Sequence, residues 1–332
     1  MKILITGGCG FIGSNLGLFL KSKIKKAKIT SADNLSRKGS ILNYEKLLKK
    51  KIKNFKIDLT KSKKLKRLPK FDLVIHCAAE PAIEASRKKI DEVFNSNLVA
   101  TFNILKKCAK DRSDIIYLSS SRVYAIESLF KLKKKESVTE NFNVENFKSI
   151  YGFTKLSSEL LIKEYSYLHK IKYLINRVAL VSGPWQFGKE EQGFVSLWVW
   201  RHLNKLKLNF IGFGGTGKQV RDVLHIDDLC ELILLQIKKI KKINNKLMNV
   251  GGGNKNSINL IKLTKLSKQI TKNKIKIGVV KKTSSYDIPY YVSNINYVKK
   301  LYKWYPRRGL KKIVNDIYFW MRPNISILKK YF

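Results

Sequence analysis

Eight residues near the start of this 332-residue chain, Thr6-Gly7-Gly8-Cys9-Gly10-Phe11-Ile12-Gly13, restrict its fold more than any other feature. The run before them, Lys2 to Thr6, is short and apolar and reads as a buried parallel strand. The residues after them, Phe11 to Leu20, carry apolar side chains at helical spacing. A strand that turns through three glycines into a helix presents bare backbone N–H groups at the positive helix end, where an anionic pyrophosphate can bind. Gly7 permits the tight turn, Gly10 lets backbone approach phosphate, and Gly13 lets helix and strand pack closely; Phe11 and Ile12 complete the first turn. A second strand, Lys28 to Ala32, ends at Asp33, 20 residues beyond the last glycine. A carboxylate there accepts hydrogen bonds from a ribose diol and repels a 2′-phosphate, which favours NAD over NADP. Asn34 and Arg37 follow directly, and the arginine charge blunts that preference.

Further strands are expected at Phe55 to Ile57, Leu73 to His76 and Ile115 to Leu118, with helices between them at Asp91 to Ala109 and Ile150 to Tyr167. This alternation predicts an α/β fold, a Rossmann-type doubly wound parallel sheet. Asp58 and Leu59 after the third strand are placed to flank an adenine, and Ala78 and Ala79 after the fourth are small enough to pack against a cofactor. Past residue 180 the pattern changes to crowded aromatics and glycines, a smaller C-terminal substrate-binding lobe. The expected division is 1–180 for the cofactor domain, with 220–250 returning to it, and 181–219 with 251–332 for the lobe.

Tyr151 and Lys155 stand four apart at the start of a helix, so they share one face. An ammonium beside a phenol favours the phenolate. Ser120, after the fifth strand, can hydrogen-bond the same substrate hydroxyl. Together they form an acid/base set suited to moving a hydroxyl proton while a hydride passes to or from nicotinamide.

These residues resemble the extended short-chain dehydrogenase/reductases, in the NAD-dependent nucleotide-sugar epimerase/dehydratase branch, over nearly the whole chain. Asn97, Thr101 and Asn103 resemble that branch's Asn-x-x-Gly-Thr-x-Asn segment, with Ala100 in place of its glycine, and Trp304-Tyr305-Pro306 resembles its C-terminal Trp-x-Pro. Three further stretches are similar to the CDP-paratose (CDP-tyvelose) 2-epimerases: Asp33 to Gly39, Gln186-Phe187 with Gln192-Gly193, and Gly217 to His225. The resemblance implies an isomerase that oxidises a nucleotide sugar to a transient ketone on NAD and reduces it again on the other face. It implies Asn97 on the cofactor, and Glu80, Ser86, Gln186, Arg221 and Asp287 on a CDP- or UDP-linked substrate. It also implies a homo-oligomer, dimer or tetramer, in cytoplasmic polysaccharide biosynthesis. The related 4,6-dehydratases carry an Asp-Glu pair after the Ser/Thr, and here Ser121 and Arg122 stand there, so dehydration is disfavoured. A UDP-sugar 4-epimerase, of the UDP-glucose or UDP-glucuronate type, is the alternative in the same class. A non-catalytic NAD-sensing protein is the rival outside it. Glu80, Leu180, Ser284 and Pro289 depart from the family's pattern, all on the substrate side.

Composition matters for partners. Lys plus Arg is 68 against 24 for Asp plus Glu, a net +44 that would attract polyanions. The lysines fall in spaced groups at expected helix ends and connections, with few aromatics interleaved to stack on bases, so no specific nucleic acid is expected. The four cysteines and four histidines show no metal-ligand spacing, so no metal is expected. No apolar run is long enough for a transmembrane segment, and Met1 to Thr6 reaches glycine too soon for a signal-peptide core.

Overall fold

Strand β1 (Lys2–Thr6) is buried at all but its first residue and pairs in parallel on both sides, with β2 (Lys28–Asp33) and β4 (Leu73–His76). In the computed structural model, which describes residues 1–81, 89–133, 135–189 and 193–332, β3 (Lys53–Lys56) extends this sheet beyond β2 and β5 (Asp114–Ser120) extends it beyond β4. β6 (Tyr173–Val178) and the strand Lys246–Val250 complete seven strands, so that from β3 to β6 the order is 3-2-1-4-5-6. This is the doubly wound arrangement, and its order reverses between β1 and β4, where the crevice at the strands' carboxyl ends receives ligands.

The chain divides into two compact units: residues 1–123, 149–177 and 230–248, and residues 124–148, 178–229 and 249–332. The first unit holds most of the sheet. Its core joins Leu4, Val74, Ile115, Tyr117 and Ile175 from strands to Ile104, Leu105 and Ile162 from the helices Ala100–Asp111 and Ile150–His169. The helix expected over Asp91 to Ala109 is interrupted: Ile90–Phe94 runs into a π-turn at Asn95–Val99 before Ala100–Asp111 resumes. Such turns insert one residue and re-aim a side chain; here Asn97 is buried within it.

Apart from shifts of two or three residues at 178–180 and 249–250, two segments fall on the other side of the expected boundaries, for identifiable reasons. Residues 124–148 join the second unit because Tyr124 donates its hydroxyl to Asn249 at 2.6 Å, Asn249 N–H donates to Glu140 at 2.8 Å, and Val138 bridges Ser293. Residues 220–229 join it because β9 (Val220–His225) pairs in parallel with β7 (Leu180–Ser182), antiparallel to β11 (Ser257–Asn259), and in parallel with β13 (Tyr290–Tyr291). In that unit β8 (Leu208–Ile211) and β12 (Ile277–Val280) form a separate parallel pair, and Trp198, Trp200, Leu263, Ile313, Ile317 and Trp320 build the core.

Candidate active site

The glycine turn is built as its spacing requires. Gly7 has φ +63°, and a Cβ there would lie 2.8 Å from the Ala78 backbone, so the turn leaving β1 passes the segment leaving β4 this closely only through glycine. At Gly13 a Cβ would lie 2.3 Å from the Gly7 carbonyl oxygen, within the turn itself. Gly10 differs. Its φ of −74° suits any residue, and a Cβ would meet a single atom, the Gly7 oxygen at 3.1 Å. It caps the helix Phe11–Lys23 without a side chain, so the N–H groups of the first turn have no side-chain acceptor at the cap.

Asp33 closes this turn from β2. Its carboxylate accepts from Cys9 N–H at 3.0 Å and Leu35 N–H at 2.8 Å. Burial pushes its pKa up, and these backbone donors together with the Arg37 charge draw it back. With about four acceptor positions and three backbone donors, Leu35, Cys9 and Gly10, the carboxylate keeps capacity for a ribose hydroxyl. Arg37 pairs with Glu80 at 2.8 Å, and Asn34 accepts from Ser36 in an exposed turn. Asp58 likewise accepts from Thr60 N–H at 2.9 Å. The buried Leu59 offers its carbonyl to the Asn103 carboxamide at 2.9 Å. Asn97 accepts from Glu80 N–H at 2.7 Å and donates to Thr154 at 3.1 Å, tying the loop after β4 to the Tyr151 helix. First-turn amides without a side-chain cap, a glycine at the cap and a half-buried carboxylate ending the neighbouring strand make a set of donors and an acceptor that fits a dinucleotide.

Ser120 ends β5, and Tyr151 and Lys155 lie in the first turns of Ile150–His169, whose N-cap Ser149 accepts from Gly152 N–H at 3.1 Å. All three are buried. Burial raises the Tyr151 pKa; a hydrogen bond from Ser120 lowers it first, then the Arg122 charge, against a smaller rise from Glu80. Spacing alone assigns that lowering to Lys155. In the structure the Lys155 ammonium donates to the Leu118 carbonyl at 2.7 Å and sits 4.5 Å over the Tyr117 ring. Burial pushes Lys155 down to about 8, with Cys77 and Glu159 opposing that fall. Buried His76 is pushed down to about 3 by desolvation and by Lys155, so its neutral ring bridges Thr6 and Thr101 at 2.5 and 3.0 Å.

In the second unit, Arg221 donates to Asp287 at 2.7 Å and to the Ile288 carbonyl at 2.6 Å. Gln186 spends its carboxamide internally: its oxygen accepts from Ser182 and Ser196 at 2.7 and 2.9 Å, and its nitrogen donates to the Val181 carbonyl at 2.9 Å. That carboxamide oxygen, with both acceptor positions taken, ties Ser182 to Ser196. Ser86 and Gln192 lie outside the described residues. Sequence reasoning missed Arg122, Ser119, Glu159 and Arg177. Glu159 had a signal, since it continues the four-residue stripe of Tyr151 and Lys155.

The sequence pattern of the NAD dependent epimerase/dehydratase family matches residues 3–251. The chain belongs to that family. It is similar to CDP-paratose 2-epimerase of Salmonella typhi, with 29% identity over 340 residues spanning 96% of this chain and 99% of that protein. It is similar as well to UDP-glucuronate 4-epimerase of Thermodesulfobacterium geofontis, 30% identical over 98% of each chain. Among solved structures, UDP-glucose 4-epimerase of Thermotoga maritima superposes with a TM-score of 0.86 at 24% identity, covering 98% of this chain and 100% of that one. At that identity the likeness establishes the fold. The family member described here is an enzyme, an isomerase of the nucleotide-sugar epimerase/dehydratase type with NAD as cofactor. No helix among the described residues is long and apolar enough to cross a membrane.

Proposed function

We propose that the protein epimerises a CDP-linked sugar at C2, as CDP-paratose 2-epimerase does, through a transient ketosugar. The observation that carries the epimerase part is the composition of the acid/base set: Ser120 bonded to Tyr151, followed by Ser121 and Arg122 in place of carboxylates. Without a carboxylate pair to abstract one proton and deliver another, elimination of water is unprovided for. The backbone of Gly10 to Gly13 and the Asp33 carboxylate would hold NAD, which when bound takes a hydride from a carbinol carbon and later returns it. Ser120 orients the sugar hydroxyl, and Tyr151 takes its proton and gives it back, with Arg122 favouring the phenolate. Arg221, with its planar fork, suits the nucleotide diphosphate. Similarity to a CDP-sugar 2-epimerase over both chains' lengths supports the substrate, together with the Gly217 to His225 stretch.

A second reading, a UDP-sugar 4-epimerase, has equal support in extent of similarity, from the UDP-glucuronate 4-epimerase relative. The test is incubation with CDP-paratose, UDP-glucose and UDP-glucuronate in turn, with product stereochemistry followed by NMR. Inversion at C2 of the CDP-sugar is expected; inversion at C4 of a UDP-sugar instead overturns the substrate assignment. Tyr151→Phe should remove the proton carrier and abolish turnover, with NAD still bound. Undiminished turnover by that variant refutes the acid/base assignment. The proposal includes a cytoplasmic homo-oligomer. The oligomer is supported by large apolar side chains left exposed on the helices Ala100–Asp111 and Ile150–His169: Phe102, Phe153, Leu160, Tyr167 and Leu168.

A further inference from the structure

Four consecutive residues of β5 hold three positions in the first half of the Tyr151 helix, two of the four meeting Lys155. The Tyr117 ring lies under the Lys155 ammonium at 4.5 Å. The Leu118 carbonyl accepts from Lys155 at 2.7 Å. Ser119 donates its hydroxyl to Glu159 Oε1 at 2.5 Å. Ser120 hydrogen-bonds the Tyr151 phenol. The Ser119–Glu159 contact is itself anchored from β6, because Arg177 clasps the Glu159 carboxylate with its Nε at 3.1 and 3.2 Å and its Nη2 at 2.8 Å. Ser119, Glu159 and Arg177 are all buried, at 4%, 1% and 5% exposure, so water does not compete for these bonds.

From this we infer that Glu159, clamped by Arg177 and gripped by Ser119, is a positioning residue that sets the register of the helix against the end of β5. That register brings Ser120 to Tyr151 and Lys155 to the Leu118 carbonyl. A fork of three nitrogen–oxygen contacts fixes a carboxylate in orientation as well as place. A helix sliding by one residue rises 1.5 Å and rotates by about 100°. Such a slip would carry Tyr151 away from Ser120 altogether, and the Ser119 to Glu159 bond blocks it. Glu159 has a second effect through charge: it supports the protonated form of Lys155 against the burial that opposes it. The inference rests on the reading that Ser120, Tyr151 and Lys155 form the acid/base set.

Ser119→Ala removes one bond and leaves the ion pair, so it is the mildest test; Ser119→Thr keeps the hydroxyl. For Ser119→Ala, kcat with CDP-paratose should fall tenfold or more at unchanged NAD content and nearly unchanged KM, with activity restored in Ser119→Thr. Hydrogen exchange by mass spectrometry supplies a readout that needs no substrate. Peptides covering 118–120 and 149–155 should exchange faster in Ser119→Ala and not in Ser119→Thr, with the rest of the chain unchanged. Glu159→Gln keeps an acceptor for Ser119 but loses the charge, so the alkaline limb of its pH–rate profile should move to lower pH. Ser119→Ala should lower the whole profile without moving it. Wild-type kcat together with wild-type exchange in Ser119→Ala overturns the inference, as does a loss spread over the whole first unit. If instead Tyr151→Phe remains active, it is the underlying acid/base reading that fails.

Discussion

The glycine turn offers a prediction in which two similar substitutions part company. In Gly13→Ala the new Cβ would stand 2.3 Å from the Gly7 carbonyl oxygen and 2.7 Å from the Gly8 Cα, both backbone atoms of the same turn. Neither can rotate away, so β1 or its helix must shift, at a cost of about 1–3 kcal/mol by analogy with overpacked cores. In Gly10→Ala the Cβ meets only the Gly7 oxygen, at 3.1 Å, and the backbone is already in a region alanine adopts freely. The small crowding there is offset by the roughly 0.4–1 kcal/mol gained from a stiffer unfolded chain. The NAD-free proteins should therefore separate in thermal unfolding, with Gly13→Ala several degrees below the parent and Gly10→Ala indistinguishable from it. Adding NAD reverses the comparison of interest. At a hundredfold excess over its Kd, NAD stabilises the parent by about 2.7 kcal/mol. The methyl of Gly10→Ala occupies the space intended for phosphate, so that rise should vanish. Scanning calorimetry of the three proteins, stripped of nucleotide and then titrated with NAD, reads both effects. A Gly10→Ala protein that keeps the full NAD-dependent rise would show that phosphate does not lie over Gly10. An unshifted melting temperature in Gly13→Ala would show that the turn yields more easily than its geometry implies.

Other consequences are open to measurement. Buried Asp222 has its pKa raised from 3.8 to about 6, by desolvation first. The folded state thus holds this proton more tightly than the unfolded chain, and the associated stability is present below about pH 4 and lost as pH rises through 6. Asp222→Asn should flatten that part of a denaturation midpoint against pH plot, and an unchanged slope from pH 4 to 7 would contradict it. Lys155, pushed down to about 8, should contribute an alkaline limb to kcat near that pH, which is absent if the lysine titrates at its ordinary value. Arg221→Lys loses the planar guanidinium whose Nη2 reaches both Asp287 and Ile288, so KM for the nucleotide sugar should rise about tenfold or more with kcat little changed. An unaltered KM would remove Arg221 from the diphosphate.

What the sequence by itself determined is everything governed by neighbours a few residues apart. Gly7, Gly10 and Gly13 reveal a turn because their spacing is that of one turn. Asp33 reveals the end of the next strand, and Tyr151 and Lys155 share a face because a helix repeats every 3.6 residues. The alternation of strand and helix was sufficient for the doubly wound parallel sheet, and the tertiary structure supplied its strand order. Tertiary structure decided where charges and amides go once distant segments meet. The ammonium of Lys155 turns to the Leu118 carbonyl, 37 residues away, and Arg122 acts on the phenol in its place. Tyr124 and Val138 join the second unit because Asn249 and Ser293 bind them. No periodicity encodes such contacts. A hydrogen bond between groups far apart in the chain depends on which buried partners are left unsatisfied, and that is settled only when the core closes.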